Sequence, residues 1–350
     1  MSASNSETNS PVTVPQVNGS RVAIVGITGA VGQEFLRVLA ERKFPLKSLR
    51  LLASARSAGK TYEYEGETIK VEELTASSFV GVDIALFSAG GGISKEFAPI
   101  AVKAGSIVVD NSSAFRMKDG VPLVVPEVNY KDIQKHNGVI ANPNCSTIIM
   151  NVPVWPLHQF NRVKRIIVST YQAVSGAGAW GLYELENQQR SLARGEPVIK
   201  EKFPHQIVDN LFSHNTPIAE NGYNEEELKM RNETRKIFGD QKMMIAATCI
   251  RVPIPRAHCE SINLEFSQPI SLEEVRNILA RAPGVKVVDD RAGNHFPMPL
   301  EASGQDNVLV GRIRHDMSRD DGRGVELFVA GDQIRKGAAT NAVQIAEKLL

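Results

Sequence analysis

The sequence predicts an α/β fold in two domains, the first built on a parallel sheet and the second an α+β domain. The chain has 350 residues, more than a single hydrophobic core usually serves. In the first half, short apolar runs end in glycine or small polar turns, the pattern of strand–turn–helix units. In the second half, strand patterns have few helices to cover them. We place the domains at 21–146 and 147–332, with a C-terminal helix at 333–350 that completes the first domain.

Composition excludes several classes of protein. The formal net charge is +1, so the chain as a whole offers no electrostatic basis for binding nucleic acid or a membrane surface. No apolar run reaches the roughly 18–20 residues that a membrane helix needs. Three cysteines without a C-x-x-C motif indicate no disulfide scaffold and no metal site, and favour a cytoplasmic protein. Residues 1–20 carry no Lys or Arg and no apolar core, so we expect a disordered tail.

The first unit of the chain has the pattern of a Rossmann-type nucleotide-binding turn. An apolar strand at 22–25 leads into a glycine-rich turn at 26–32, and Val31, Phe35, Val38 and Leu39 then recur at helical spacing. Glycines let the backbone approach a pyrophosphate, and the start of the helix favours its negative charge. The spacing G-x-x-G-x-x-G departs from the usual fingerprint, so a tight turn without a ligand remains an alternative.

The second strand, at 49–53, bears on the choice of cofactor. A domain that binds NAD usually carries an acidic residue after this strand, for the ribose hydroxyls. This chain has Ser54, Arg56 and Ser57 there instead, which would bind a 2′-phosphate that an acid would repel. The sequence therefore predicts NADP, and a solvated loop with an incidental Arg is the alternative.

Three further strands, at 84–87, 107–109 and 139–141, fit the same parallel sheet. The last leads through Asn144 to Cys145 and a run with helical character, which places the thiol at the start of a helix. A helix N-terminus stabilises a thiolate, so we expect the pKa of Cys145 to be low enough for nucleophilic attack near neutral pH. The alternative is a buried cysteine that serves as a small hydrophobic residue. Parallel strands place their carboxyl ends together, which favours the nucleophile.

The second half reads as a sheet with several helices. We predict strands at 163–172, 243–252, 258–266, 308–313 and 325–329. Helices are predicted near 183–192, at 225–238 after a cap at Asn224, and after the capping box formed by Ser271 and Glu274. Residues 195–224 look like a long loop, and the final helix is predicted at 337–350.

Six motifs occur in order along the chain: Gly26-Ile27-Thr28-Gly29-Ala30-Val31-Gly32, Ser113-Ala114-Phe115-Arg116, Asn142-Pro143-Asn144-Cys145-Ser146-Thr147, Gln172-Ala173-Val174-Ser175-Gly176, Glu225-Glu226-Glu227-Leu228-Lys229, and Arg251-Val252-Pro253 through Arg256-Ala257-His258-Cys259. With these motifs, the sequence resembles the aspartate-semialdehyde dehydrogenase family from about Arg21 to the C-terminus. The extension before Arg21 is the main departure.

The resemblance implies a role for each matching residue. Cys145 would be the nucleophile, His258 the general acid and base, and Gln172 would orient substrate and thiol. The residues implied for substrate binding are Arg116 and Lys229 for phosphate, Arg251 for carboxylate, Glu226 for the amino group, and Asn144. Those implied for NADP are Thr28, Gly29, Ala30, Val31, Ser54, Arg56, Ser57, Ser88, Gly90, Ser175, Gly176 and Gln333. The run Glu225–Glu227 leaves open which acid contacts the substrate.

The resemblance further implies a homodimer that reduces L-4-aspartyl phosphate to L-aspartate 4-semialdehyde through a cysteine thioester. This reaction belongs to the biosynthesis of lysine, methionine, threonine and isoleucine. An N-acetyl-gamma-glutamyl-phosphate reductase is the nearest alternative, but its acylated amine would not need an acid. A glyceraldehyde-phosphate dehydrogenase generally favours NAD and has a different thiol motif. A non-catalytic NADP sensor would not need Cys145, Arg116 and His258.

Overall fold

The computed structural model describes residues 19–350, and within them the chain forms two seven-stranded sheets. The expected disordered tail at 1–20 lies outside the described residues up to residue 18, and Ser20 already belongs to the first strand. An α/β protein with a Rossmann-type first domain and an α+β second domain is confirmed. We keep 21–146 with 333–350, and 147–332, as the proposed domain division.

The first sheet is parallel except for one edge strand, and its order is β3-β4-β2-β1-β5-β6-β7. Its strands are β1 Ser20–Val25, β2 Leu46–Ala53, β3 Thr61–Tyr64, β4 Glu67–Glu73, β5 Ile84–Phe87, β6 Ile107–Asp110 and β7 Val139–Ala141. The β3–β4 hairpin was not predicted, because most of its strand residues are polar and few of them are buried. Helices α1 Ala30–Glu41, α2 Gly91–Lys103 and α3 Pro126–Asn129 accompany this sheet.

The glycine turn after β1 depends on close packing of backbone. Gly26 has a φ of +92°, and a Cβ there would lie 2.4 Å from the carbonyl oxygen of Ser88. A Cβ on Gly32 would lie 2.2 Å from the carbonyl oxygen of Gly26. Glycine at both positions lets α1 start directly over the turn, which brings its N-terminus to the carboxyl edge of the sheet.

The second sheet is mixed, in the order β12-β13-β14-β11-β8-β10-β9. Its strands are β8 Val163–Gln172, β9 Phe212–Ser213, β10 Met244–Arg251, β11 His258–Phe266, β12 Val285–Val287, β13 Val308–His315 and β14 Gly324–Gly331. The helices of this half are α4 Cys145–Phe160, α5 Ala179–Ala193, α6 Glu225–Phe238, α7 Leu272–Arg281 and α8 Pro299–Ala302. Alternate residues of β8 and β11, such as Ile166, Val168, Ile262 and Leu264, pack in one buried core with α4.

Helix α4 connects the two sheets and starts at the predicted nucleophile. It continues through Pro153 and Pro156 to Phe160, although the sequence pattern changes after those prolines. Ile148, Ile149 and Met150 are fully buried, which indicates that tertiary packing stabilises this helix more than intrinsic preference does.

The chain ends against the first sheet. Residues Arg335–Ala339 form a π-helical turn, and α9 Thr340–Glu347 continues it, where the sequence predicted one helix at 337–350. Ala342, Val343 and Ala346 are buried in the same core as α1 and β1. In the described part of the chain, no helix has both the length and the apolar character that a bilayer crossing requires.

Candidate active site

Cys145 lies at the predicted strand–turn–helix junction. Strand β7 ends at Ala141, and Cys145 is the first residue of α4. Asn144 caps this helix, since its side-chain oxygen accepts the backbone N–H of Thr147 at 3.2 Å. The sulfur is therefore held at a helix N-terminus, as the sequence indicated.

The second sheet brings His258 to the sulfur. His258 is the first residue of β11 and is fully buried, and its Nε2 lies 3.5 Å from Sγ of Cys145. Its other ring nitrogen, Nδ1, accepts the backbone N–H of Ala173 at 3.0 Å. Because Nδ1 is an acceptor, the neutral ring carries its proton on Nε2, which faces the sulfur.

Burial shifts the pKa values of both Cys145 and His258. Burial raises the pKa of Cys145 to about 12, and Glu226 adds to the effect, while Arg116, the N–H of Ser146 and Arg251 oppose it. Burial and Arg251 lower the pKa of His258 to about 3. The low pKa expected for Cys145 is thus wrong for the resting protein, because desolvation outweighs the helix N-terminus. The resting pair is a thiol and a neutral imidazole.

Glu226 is the member of the acidic run that reaches the site. Its Oε1 accepts the side-chain amides of Asn144 at 2.8 Å and Gln172 at 3.0 Å, and its Oε2 accepts Lys229 at 3.3 Å. Glu227 instead completes the capping box of α6 with Asn224, and Glu225 points to solvent. Burial opposes ionisation, but His214, Lys229 and the two amides outweigh it and lower the pKa of Glu226 to about 2.

The predicted cations of the site differ in how they are paired. Arg116 donates to Glu233 at 3.1 Å and to the backbone oxygens of Asn142 and Asn111. Arg251 forms no ion pair with a described residue; it donates to the carbonyl oxygen of Ala173 at 2.7 Å and to the ring of His214 at 2.7 Å.

Most residues of the predicted site line one cavity of about 540 Å³. It is lined by every residue predicted for catalysis and substrate binding: Cys145, His258, Gln172, Arg116, Glu226, Lys229, Arg251 and Asn144. Of the residues predicted for the cofactor, it is lined by Gly29, Ala30, Val31, Ser88, Ser175, Gly176 and Gln333. Thr28, Ser54, Arg56, Ser57 and Gly90 do not line it.

The first sheet presents a cradle that fits a dinucleotide. The N-terminus of α1 has no side-chain cap, and its residues Ala30 and Val31 line the cavity, so backbone N–H groups there are free to bind a phosphate. Ser54 and Arg56 are exposed directly after β2, the strand beside β1. Gly90, at a φ of +88°, opens α2 without a side-chain cap.

Three further residues of the site were not predicted from the sequence. His214 lines the cavity from the long loop, where no periodic pattern marked it. Glu233 lies on the same face of α6 as Glu226 and Lys229, a spacing that could have identified it. Gly337 packs so closely on the nucleophile that a Cβ there would lie 2.9 Å from Cβ of Cys145.

Two family models match the chain over most of its length. The model described as "Semialdehyde dehydrogenase, NAD binding domain" matches residues 21–136, and the one described as "Semialdehyde dehydrogenase, dimerisation domain" matches 154–336. Among curated proteins, aspartate-semialdehyde dehydrogenase of a Synechocystis species is 55% identical over 330 residues, which cover 94% of this chain and 97% of the relative.

Solved structures agree with these matches. Aspartate semialdehyde dehydrogenase II of Vibrio cholerae, complexed with ASA, has a TM-score of 0.92 and 46% identity, and the match covers 95% of this chain and 98% of that one. Aspartate semialdehyde dehydrogenase of Candida albicans, with NADP, has a TM-score of 0.72 and 26% identity, over 94% and 98% of the two chains.

The pKa of Cys145 can be measured by alkylation. Only the thiolate reacts with iodoacetamide, so without substrate the rate at Cys145 should rise about tenfold per pH unit from pH 7 to 10. Mass spectrometry of the Cys145 peptide separates it from Cys249 and Cys259. Glutathione is the control, because its rate levels off above an ordinary thiol pKa. A plateau at Cys145 below pH 8 would contradict our assignment.

Proposed function

This chain belongs to the aspartate-semialdehyde dehydrogenase family, and we propose that it reduces L-4-aspartyl phosphate to L-aspartate 4-semialdehyde with NADPH. The observation that carries the proposal is the 3.5 Å approach of His258 to Cys145 inside a cavity that also contains Arg251 and Glu226. A thiol, an imidazole, a cation and an anion are the groups that reductive acyl transfer from an aspartyl group requires.

The charges of the cavity match those of the substrate. The α-carboxylate would bind Arg251, whose charge no described carboxylate neutralises. The ammonium would bind Glu226, which is ionised at neutral pH because its pKa is about 2. The phosphate would lie between Arg116 and Lys229. Asn144 and Gln172 hold the Glu226 carboxylate by its Oε1.

The reaction proceeds through a thioester on Cys145. The sulfur bonds to the acyl carbon, the bond from that carbon to the phosphate oxygen breaks, and the thiol proton passes to the departing phosphate. Backbone N–H groups at the start of α4 are placed to stabilise the oxyanion, and one such donor is typically worth about 3–4 kcal/mol. NADPH, when bound, supplies the hydride that reduces the acyl group. The sulfur then departs as the aldehyde forms.

His258 contacts the sulfur through one ring nitrogen, Nε2. Since Nδ1 is held by the N–H of Ala173, any exchange with Sγ passes through Nε2. The Nε2 proton stabilises negative charge on the sulfur by hydrogen bonding, both as the sulfur attacks and as it departs. The neutral ring thus acts as a hydrogen-bond donor, a narrower role than the sequence resemblance implied.

The cofactor assignment rests on the first sheet. The NAD-binding family model and the Candida albicans relative with NADP agree with the uncapped α1 and the close glycine turn. We propose that Ser54, Arg56 and Ser57 hold the 2′-phosphate, supported by their place after β2 and by the lack of an acidic residue there. Thr28, Ser88, Gly90, Ser175, Gly176 and Gln333 complete the proposed cofactor contacts.

An N-acetyl-gamma-glutamyl-phosphate reductase is not favoured. Its substrate carries an acylated amine, which gains nothing from a buried ionised carboxylate, whereas two side-chain amides hold the Glu226 carboxylate in the cavity. The named relatives are aspartate-semialdehyde dehydrogenases.

We further propose a homodimer in the cytoplasm. The matching dimerisation model and an uncovered apolar face of the second sheet support the dimer; Ile167, Tyr171 and Met244 are exposed there by 37%, 38% and 52%. Three free cysteines support a reducing compartment. Sedimentation equilibrium should give twice the chain mass, and a monomer at micromolar concentration would contradict the dimer.

The proposed activity is tested by phosphate-dependent reduction of NADP with aspartate semialdehyde. Wild type should turn over only with phosphate and should act poorly on N-acetyl-glutamate semialdehyde.

Cys145→Ala should abolish turnover and leave the affinity for NADP nearly unchanged, because the thioester cannot form. Arg56→Glu should reduce the preference for NADP over NAD. Substantial turnover by Cys145→Ala would refute the thioester route, and unchanged selectivity in Arg56→Glu would refute the 2′-phosphate assignment.

The backbone control of His258 is tested with Ala173→Pro. Ala173 has a φ of −60° and a ψ of 152°, which the proline backbone also adopts, and the substitution replaces the N–H donor with a ring carbon that pushes the imidazole away. Losing this hydrogen bond frees the ring to change tautomer, and kcat should fall about tenfold or more. Ala173→Gly keeps the N–H and should stay near wild type. Full kcat in a folded Ala173→Pro protein would show that the N–H does not set the tautomer.

A further inference from the structure

The loop at 195–224 delivers a histidine to the cavity. Its short strand β9 pairs with β10, and directly after it the N–H of His214 donates to the carbonyl oxygen of Cys249 at 2.8 Å. This anchoring turns the half-buried imidazole toward Arg251, the last residue of β10. His214 touches neither the sulfur nor His258 in the hydrogen-bond network of the described residues.

Arg251 is a buried cation held only by neutral groups. Its guanidinium donates through Nη1 to the carbonyl oxygen of Ala173 at 2.7 Å and through Nη2 to Nε2 of His214 at 2.7 Å. Its Nε is buried without a partner among residues 19–350. No described carboxylate lies within ion-pair distance of it, in contrast to Arg116, which pairs with Glu233. A carboxylate at position 214 would neutralise the charge, whereas an imidazole orients it and leaves it available.

The hydrogen bonds also fix the tautomer of His214. A guanidinium can only donate, so Nε2 is an acceptor and the proton of the ring is on Nδ1. Nδ1 lies 3.3 Å from Oγ1 of Thr216, which also accepts the backbone N–H of Glu226 at 3.3 Å. One chain of hydrogen bonds therefore runs from the guanidinium of Arg251 to the backbone N–H of Glu226, the residue whose carboxylate would bind the amino group.

We propose that His214 is a positioning residue that aims Arg251 at the α-carboxylate of the substrate. The proposal rests on the proposed function for the identity of that substrate. His214 does not take part in the chemistry; it selects for substrates that carry a carboxylate next to the amine. Burial, reinforced by Arg251 and Lys229 and opposed by Glu226, lowers the pKa of His214 to about 4, so the ring remains the neutral acceptor that this role needs.

The experiment compares His214→Leu with His214→Gln. Leucine fills similar space without an acceptor, whereas the side-chain oxygen of glutamine can accept from Nη2 as Nε2 does. In His214→Leu the KM for aspartate semialdehyde should rise at least about tenfold, the effect of one hydrogen bond to a charged group. The KM values for phosphate and NADP should change less than about threefold, and His214→Gln should recover most of the loss.

A substrate without the carboxylate separates positioning from general damage. For 3-aminopropanal, kcat/KM should be the same in wild type and His214→Leu, because Arg251 has no carboxylate to bind. Thermal unfolding of both variants checks that they fold. An unchanged KM for aspartate semialdehyde in His214→Leu would overturn the proposal, as would an equal loss on both aldehydes. Failure of wild type to act on aspartate semialdehyde would instead overturn the proposed function, and would be seen before any variant is compared.

Discussion

The site depends on two buried carboxylates of α6 that hold the turn before the nucleophile. Glu226 accepts the side-chain amide of Asn144, and Glu233 accepts its backbone N–H at 2.7 Å. Glu233 also binds Arg116, which in turn donates to the backbone of Asn142. Helix α6, from the second half of the chain, thus holds a turn at the edge of the first sheet by hydrogen bonds. Removing either carboxylate would leave buried donors without partners, a costly change in a low-dielectric site.

The carboxylates of α6 also distribute charge asymmetrically over the site. Burial and, next to it, the ionised Glu226 raise the pKa of Cys145, so a free thiolate is disfavoured in the resting site. Arg116 is already paired with Glu233, whereas Arg251 is not paired with any carboxylate of the described chain. The two guanidinium groups therefore differ: Glu233 fixes the position of Arg116 at the proposed phosphate site, whereas Arg251 keeps its full charge for a substrate carboxylate. Such preorganised charges act only where burial excludes water.

The end of the chain fixes how the two sheets meet. Glu34 of α1 accepts a hydrogen bond from Arg335 at 3.2 Å and lies 3.3 Å from the guanidinium of Arg256, which in turn binds Asp332 at 2.6 Å. These ion pairs surround the π-helical turn at Arg335–Ala339, which places Gly337 against Cys145. The wider turn and the missing side chain allow the backbone to approach the nucleophile. The ion pairs connect α1, which follows the glycine turn, with the segment before β11 and with the turn that leads into α9.

The sequence alone determined the features that are local. Apolar runs and glycines predicted five strands of the first sheet and the turn before α1, because these depend on periodicity and on φ. The strand–turn–helix position of Cys145 and the cap at Asn224 were predicted for the same reason. Tertiary structure decided what depends on distant neighbours. It selected Glu226 from three adjacent acids, brought His214 from a loop without a pattern, fixed the tautomer of His258 through Ala173, and raised the pKa of Cys145. Burial and hydrogen-bond geometry set these properties, and both arise only when segments far apart in the chain pack together.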